Sequence, residues 1–395
     1  MMKLSLILSV TANGCKAVGI AMKIGITKLI PENIAPDNVS SLAIFNGNTK
    51  VCDIDITKMK PNFGKPLYSF GLLSDIHMSG DSDVGTKEKD GNGYITDGFY
   101  FKKALDFFEK QECNFVCVTG DLTDIGFWGE SSQAFRTDQF EEYRDICNLF
   151  PNLPVYAICG NHESYTDIYS WGHSITENLA ELLEYTGTPL YYTITSGESL
   201  NPTVEGGNIH NSSIANTDVF VMFGQPSSTA NSTWNSQIDW LEATLEANKD
   251  KRGFVFEHLT LNYDSGNPEN VHNAFWGSLE SRLVGILNKY NNVILFHGHS
   301  HMQLQEQTKV TYTNYSTERG FKSVHIPSTS YTRYMVDKNG DGVWDSGDKE
   351  NITDGSQGYI CDVYENCIVL KGYDFQHEEF VPIAQYCIDT GTITT

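Results

Sequence analysis

The sequence predicts an α/β fold in which strands alternate with helices from Leu67 onward. Short apolar runs such as Leu67–Ser74, Asn114–Thr119 and Pro154–Cys159 recur, separated by longer stretches with helical spacing. That alternation stacks helices on the faces of sheets. A third observation is that four of the strands end in the same polar, metal-competent punctuation.

At 395 residues, with 40% hydrophobic and 12% aromatic content, the chain can bury a large core, and one large domain with a smaller one is expected. The first 66 residues read as a small β-rich module. Ala17–Leu29, Ser41–Phe45 and Val51–Ile56 are its strands, Asn46-Gly47 is a hairpin turn, and the turn-rich Lys60–Pro66 closes it. The short apolar run Leu4–Val10 after Lys3, and Gly14-Cys15 beyond it, fall short of a clear export signal. No stretch reaches the length of a membrane span.

Residues 67–395 form the main domain. Helices are expected at Asp97–Glu112, Gln133–Leu149, Ile175–Tyr185, Asn235–Asn248 and Ser278–Tyr290. Further strands are expected at Leu190–Thr195, Val219–Gly224, Phe254–Phe256 and Val293–Phe296, and Gly358–Phe375 reads as a closing strand pair.

The formal net charge of −23 repels polyanions, which disfavours broad nucleic-acid or anionic-membrane binding. A phosphate substrate would need local positive charge, and metal ions could supply it. Nine scattered cysteines without a CxxC pair do not make a disulfide scaffold, and Cys117 and Cys159 read as buried small hydrophobes.

The punctuation carries the chemistry. Leu72-Leu73-Ser74 runs into Asp75-Ile76-His77, and Val118-Thr119 into Gly120-Asp121-Leu122-Thr123-Asp124. Ile158-Cys159 runs into Gly160-Asn161-His162-Glu163, and Leu295-Phe296 into His297-Gly298-His299-Ser300-His301. In open α/β sheets ligands bind beyond the carboxyl ends of strands. One such run is more often a turn, but four in order form a constellation. Imidazole with carboxylate, and no thiolate, suits borderline divalent metals such as Mn, Fe or Zn. Two ions about 3.5–4 Å apart can clamp an in-line displacement at phosphorus and acidify a bridging water.

In its run of D-x-H, G-D-x-x-D, G-N-H-E, a downstream His and G-H-x-H, the sequence resembles the calcineurin-like metallophosphoesterase superfamily. The resemblance covers roughly Leu67 to Tyr373 and implies a four-layer α-β-β-α sandwich of two mixed sheets between helices. It also implies a dinuclear centre and attack by a metal-bridging hydroxide. Carried over, Asp75, His77 and His301 would bind the first metal, Asp121 would bridge, and Asn161, His258 and His299 would complete the second site. Catalysis would fall to Asp121 and His162, the latter protonating the leaving oxygen. Asp124 and Glu163 sit where a partner can orient a histidine. His258 has the least distinctive surroundings of the set, with His272 as its fallback. His297 reads as a packed residue, and His173, His210, His325 and His377 as surface or core histidines.

A second metal signal lies at 337–348, where Asp337, Asn339, Asp341, Val343, Asp345 and Asp348 fall at the ligand positions of a calcium loop. Asp348 replaces the usual Glu, and no helix precedes the loop, since Ser328–Val336 looks extended. Calcium there would stiffen the loop and favour an extracellular, cell-surface or virion setting.

Asp124 is followed by Ile125-Gly126, unlike the Arg-Gly of protein Ser/Thr phosphatases, and Leu122-Thr123-Asp124 lacks the metal-binding Tyr of purple acid phosphatases. The run most resembles bacterial cyclic-nucleotide and glycerophosphodiester phosphodiesterases, which favours a diester. The segments Met78–Ile95 and Gly126–Gln133, with Phe127 and Trp128, are candidates for the pocket rim, and Trp171, Trp234 and Trp276 for stacking on a base or sugar. The substrate would be a small-molecule or surface-polymer phosphoester. The alternative is a cell-surface or phage-tail binding or assembly protein on the same scaffold, assembling through its N-terminal module.

Overall fold

Alternation of side chains along each strand builds the molecule from its middle outward. The computed structural model describes residues 41–46, 49–55, 65–78, 98–124, 133–164, 175–199, 206–225, 231–261, 278–305, 315–317, 320–336, 349–353 and 355–390. The strand expected at Ala17–Leu29, His173, His272, Phe127, Trp128, Trp171, Trp276 and the calcium-like residues Asp337, Asn339, Asp341, Val343, Asp345 and Asp348 lie outside them.

The described N-terminal part is an antiparallel hairpin of β1 (Ser41–Asn46) and β2 (Thr49–Asp55), with Asn46 opposite Thr49. The first large sheet holds β3 (Tyr68–Leu73), β4 (Phe115–Val118) and β5 (Val155–Ala157) in parallel. The second holds β6 (Tyr191–Thr195), β7 (Asn208–His210), β8 (Asp218–Phe223), β9 (Arg252–Phe256), β10 (Val293–His297), β11 (Tyr315–Ser316) and β12 (Lys322–His325). After it, β13 (Thr332–Val336) and β14 (Lys349–Thr353) form a hairpin with Val336 opposite Lys349. The chain then returns to the first sheet through β15 (Gln357–Val363), β16 (Cys367–Asp374) and β17 (Glu379–Asp389). The six-stranded order is β17-β16-β15-β3-β4-β5, and the seven-stranded order is β11-β12-β10-β9-β8-β6-β7.

Even-numbered positions of β3, Tyr68, Phe70 and Leu72, point into a core shared with Phe220, Met222, Phe254, Phe256 and Phe296 of the second sheet. Phe70 meets Phe254 edge-on at 5.7 Å between centroids. Full burial of such a side chain contributes about 1.5–3 kcal/mol, so this seam is a main source of stability. The opposite faces carry helices. Leu73, Val116 and Val118 pack on α1 (Phe99–Lys110), α2 (Gln133–Asn148) and, past the four-residue α3 (Asn161–Ser164), α4 (Ile175–Thr186). Val219, Val221 and Phe223 pack on α5 (Asn231–Ala247) and α6 (Ser278–Leu287). The result is the four-layer α-β-β-α sandwich.

Three departures from the sequence reading have physical causes. β17 escapes notice because Pro382 and Gln385 break its apolar pattern, and it lies at the sheet edge, where proline is tolerated. β12 is four residues with Val324 as its one apolar member, held by parallel pairing to β10. Trp234, a candidate for stacking on a base or sugar, packs in the outer helical core, 6.2 Å from Phe223. Cys117 and Cys159 are buried thiols, and no disulfide forms among the described residues. No described helix is long and apolar enough to cross a membrane.

At the amino ends of the central strands the two sheets are pinned by a buried ion pair. Arg252 Nε and Nη2 donate to Asp218 at 3.0 and 2.7 Å, Nη1 donates to Tyr364 O at 2.6 Å, and Tyr68 of the other sheet donates to Asp218 at 2.6 Å. Both charges are fully buried. Arg252→Met should therefore cost about 3–5 kcal/mol in chemical denaturation, because Asp218 is left charged and dry. A loss below about 1 kcal/mol would show the pair to be incidental.

Candidate metal centre

The parallel strands of both sheets end on one side, opposite the Arg252 pair, and their loops are cross-tied. Asp75 N donates to Gly120 O (3.1 Å), Ile76 N and His77 N both donate to Asp121 O (2.8 and 3.0 Å), and Gly298 N donates to His258 O (3.0 Å). The ties hold unusual backbone. Among described non-glycine residues, Asp75 (φ 52°), His77 (51°), Asp121 (50°), His299 (69°) and His301 (59°) are left-handed, and only Glu112 and Glu378 join them. Such conformations cost on the order of 1 kcal/mol or more each and persist where surroundings over-determine them. Here they aim side chains inward from sharply turned strand ends.

Glycine is required where these loops touch. Gly120 has φ +94°, and a Cβ there would lie 2.8 Å from the Gly160 backbone. A Cβ on Gly298 would collide with Ser74 Oγ.

The first cluster is Asp75, His77 and His301, whose donor atoms converge within 4.8 Å. Ser74 Oγ and His299 N donate to Asp75 Oδ2 at 2.5 and 3.0 Å, which turns Oδ1 toward His301 Nε2, 3.1 Å away. His301 Nδ1 donates to Tyr331 O (3.1 Å), and His77 Nδ1 lies 3.3 Å from Asp124 Oδ1, so both rings present Nε2 to the centre. Those nitrogens face each other at 3.1 Å. A partner on the outward ring nitrogen fixes the tautomer that leaves the inward one free to bind metal.

The second cluster is Asp121, His258 and His299. His258 Nδ1 donates to Thr119 O (2.7 Å), while Nε2 lies 3.2 Å from Asp121 Oδ2 and 2.8 Å from Asn161 Oδ1. Asn161 enters at the start of α3, and the His299 ring lies 5.2 Å from that of His258.

His162 stands edge-on to His77, 4.6 Å between centroids, and its backbone N–H donates to Asp121 Oδ1 at 2.9 Å. Its Nδ1 is 3.7 Å from Asp124 Oδ1 and its Nε2 3.8 Å from Asp121 Oδ2. Asp124 thus lies against the Nδ1 edges of both His77 and His162. Glu163 accepts from Thr123 N and Oγ (both 2.9 Å) and Gly160 N (2.8 Å), clasping two site loops together. His297 is buried at the end of β10, its ring 5.8 Å from that of His325, and belongs to no ligand group among the described residues. His325 is a core residue bonded to Ser300 Oγ at 2.7 Å, while His210 and His377 are exposed.

The donor set fits divalent cations. Asp75 Oδ1 is buried with no hydrogen-bond partner, and two imidazole nitrogens point at each other beside it. A cation would satisfy all three, and carboxylate, imidazole and amide oxygen are the donors borderline metals take. Ser74, Thr119, Ser328 and Tyr331, which orient the ligands, carry no motif of their own; Ser328 Oγ donates to Asp75 O at 2.9 Å.

Protons and metal compete for this centre. Burial alone would push His258 down, but the Asp121 carboxylate, and Asp75 after it, raise it to about 10. Below that pH the metal-free fold holds a proton on His258, which a metal must displace. Apparent metal affinity should therefore rise with pH, by about tenfold per unit for one displaced proton, between pH 6 and 9. An affinity flat across that range in a competitive chelator titration would refute the assignment.

The comparisons with known proteins agree with the geometry. The calcineurin-like phosphoesterase family profile matches residues 68–303. No curated protein matches the sequence. A dimetal phosphatase from Danio rerio is similar in fold, at 14% identity and TM-score 0.50, covering 83% of this chain and 100% of its own. TT1561 of Thermus thermophilus (10% identity, TM-score 0.36, 72% and 98% covered) and the phosphoesterase YfcE of E. coli (11%, 0.31, 81% and 100%) are more distant. With metal-competent clusters at the joined strand ends and a family match spanning more than half of its length, the chain belongs to the calcineurin-like phosphoesterases and is a metal-dependent phosphoesterase.

Proposed function

We propose that the protein hydrolyses a phosphodiester with two divalent ions of Mn, Fe or Zn. The adjacency of the two ligand clusters, with His162 against both, carries this reading. Asp75, His77 and His301 would hold one ion; Asn161, His258 and His299 the other; Asp121 would be shared. When bound, the ions supply an attacking water acidified toward neutral pH and offset charge on the phosphoryl group. The diester preference rests on the Gly120–Asp124 run and its Ile125-Gly126 continuation.

His162 is the proton donor to the leaving oxygen. Burial lowers its pKa, opposed by Asp121 and Asp124. Such an acid yields its proton more readily than a free imidazole. Asp124 keeps the ring from turning away.

Metal-stripped protein reloaded with Mn²⁺, Zn²⁺ or Fe²⁺ should cleave bis-p-nitrophenyl phosphate faster than p-nitrophenyl phosphate, and Asp121→Ala should abolish both. His162→Gln should lower kcat about 10²- to 10⁴-fold for alkyl esters, which need a proton on departure, and far less for nitrophenyl esters. Wild type that turns over neither substrate with any metal would sink the reading.

A calcium ion at residues 337–348 is part of the same proposal. The flanking strands β13 and β14 pair up to Val336 and Lys349, closing the loop's two ends together. Occupancy would favour an extracellular or virion setting, where calcium is plentiful. Millimolar Ca²⁺ should raise the thermal midpoint of chelator-treated wild type but not of Asp337→Ala/Asp341→Ala, and an equal shift in both would exclude the loop.

A further inference from the structure

Thiol chemistry sets one pair of residues apart from the metal centre. Seven described cysteines carry free thiols. Cys117, Cys159 and Cys361 are fully buried, and burial pushes each thiol far above its ordinary range. Burial likewise raises Cys113 and Cys147 to about 12. Such thiols stay protonated and unreactive. Cys367, at the start of β16, and Cys387, near the end of β17, are only partly buried.

Strand register brings these two together. β16 and β17 pair antiparallel, with Cys367 opposite Asp389 and Val369 opposite Cys387, so the cysteines are diagonal neighbours on one face of the sheet. The Cys387 S–H donates to Cys367 Sγ. That bond holds Cys367 below the ordinary thiol range, with burial opposing and Arg252 helping. The same bond raises Cys387, and burial adds to it. The surroundings give the pair something to fix. β17 is the edge strand of the six-stranded sheet, paired on one side alone. Its end reaches the buried Arg252: Thr390 N donates to Asn366 O (2.9 Å), and Arg252 Nη1 donates to Thr390 Oγ1 (3.3 Å) and Tyr364 O (2.6 Å). Strand ends with few partners are the first parts of a fold to open.

We propose that Cys367 and Cys387 form a reversible disulfide that staples the end of β17 to β16, with a low-molecular-weight disulfide such as oxidised glutathione as the oxidant. Two exchanges make the bond. The Cys367 thiolate attacks one sulfur of the oxidant, forming a mixed disulfide and releasing one small thiolate, which takes up the proton Cys367 gave away. Cys387 then loses its proton and attacks Cys367 Sγ. The bond from that sulfur to the small thiol breaks, and the second small thiol leaves with the Cys387 proton. Two protein thiols are oxidised, and one small disulfide is reduced to two thiols. Capping Cys367 removes the hydrogen bond that held the proton on Cys387, so the first exchange prepares the second. Diagonal positions stand wider apart than ordinary disulfide partners, so the bond is strained and readily reduced again.

The test treats the full chain, folded, with oxidised glutathione and maps its peptides by mass spectrometry without reductant. Wild type should yield two peptides joined through Cys367 and Cys387, and dithiothreitol should separate them. Cys387→Ser should stop at a glutathione adduct on Cys367, whereas Cys367→Ser should give neither adduct nor cross-link at Cys387. Oxidised wild type should unfold about 2–5 °C above the reduced protein, a difference that both variants lose. Wild type that keeps both thiols free under the oxidant would overturn the proposal, as would a cross-link from either residue to another cysteine. An adduct on Cys387 of Cys367→Ser would overturn the order of the two exchanges. A thermal midpoint that stays put or falls on oxidation would show that the bond staples nothing.

Discussion

The Asp121 carbonyl, accepting from the amides of Ile76 and His77 at once, is the contact on which the rest of the centre depends. It joins the end of β3 to the end of β4 and holds two strand termini in left-handed turns that would otherwise relax. Asp75, His77 and Asp121 then point into one volume, and the matching turns at His299 and His301 face them from the second sheet. The cost of these conformations is met by the packing beneath them. Phe70, Phe254 and Phe296 fill the seam between the sheets, so the loop ends cannot shift without disturbing a close-packed core.

Electrostatics at the two ends of the sandwich contrast. At the amino ends Arg252 and Asp218 are matched charge for charge and hydrogen-bonded throughout, a closed arrangement whose role is to fix how the sheets meet. At the carboxyl ends the acidic and imidazole groups are left incompletely satisfied. Asp75 Oδ1 lacks a hydrogen bond, and His258 is driven to bind a proton despite its burial. A folded protein retains such groups when a cation completes them.

Much of this was legible along the chain. Asp75-Ile76-His77, Gly120-Asp121, Gly160-Asn161-His162 and Gly298-His299-Ser300-His301 stand out because ligand chemistry needs particular side chains next to glycines that permit close backbone contact. The central strands stood out for a similar reason, since strands buried on both faces read as continuous apolar runs. The edge strand β17 did not. Glu379–Asp389 keeps only part of its surface buried, and its sequence carries only part of the pattern.

The sequence by itself determined the alternating strand–helix order, the ligand chemistry and the family, because these depend on residue type and near-neighbour spacing. Only the tertiary structure decided that Glu163 clasps backbone amides, that Trp234 is core, and that Thr119 and Tyr331 hold the outward ring nitrogens of His258 and His301. Those residues act through contacts between segments far apart in the chain. Ser328 reaches Asp75 across 253 positions, and no local pattern records a partner at that remove.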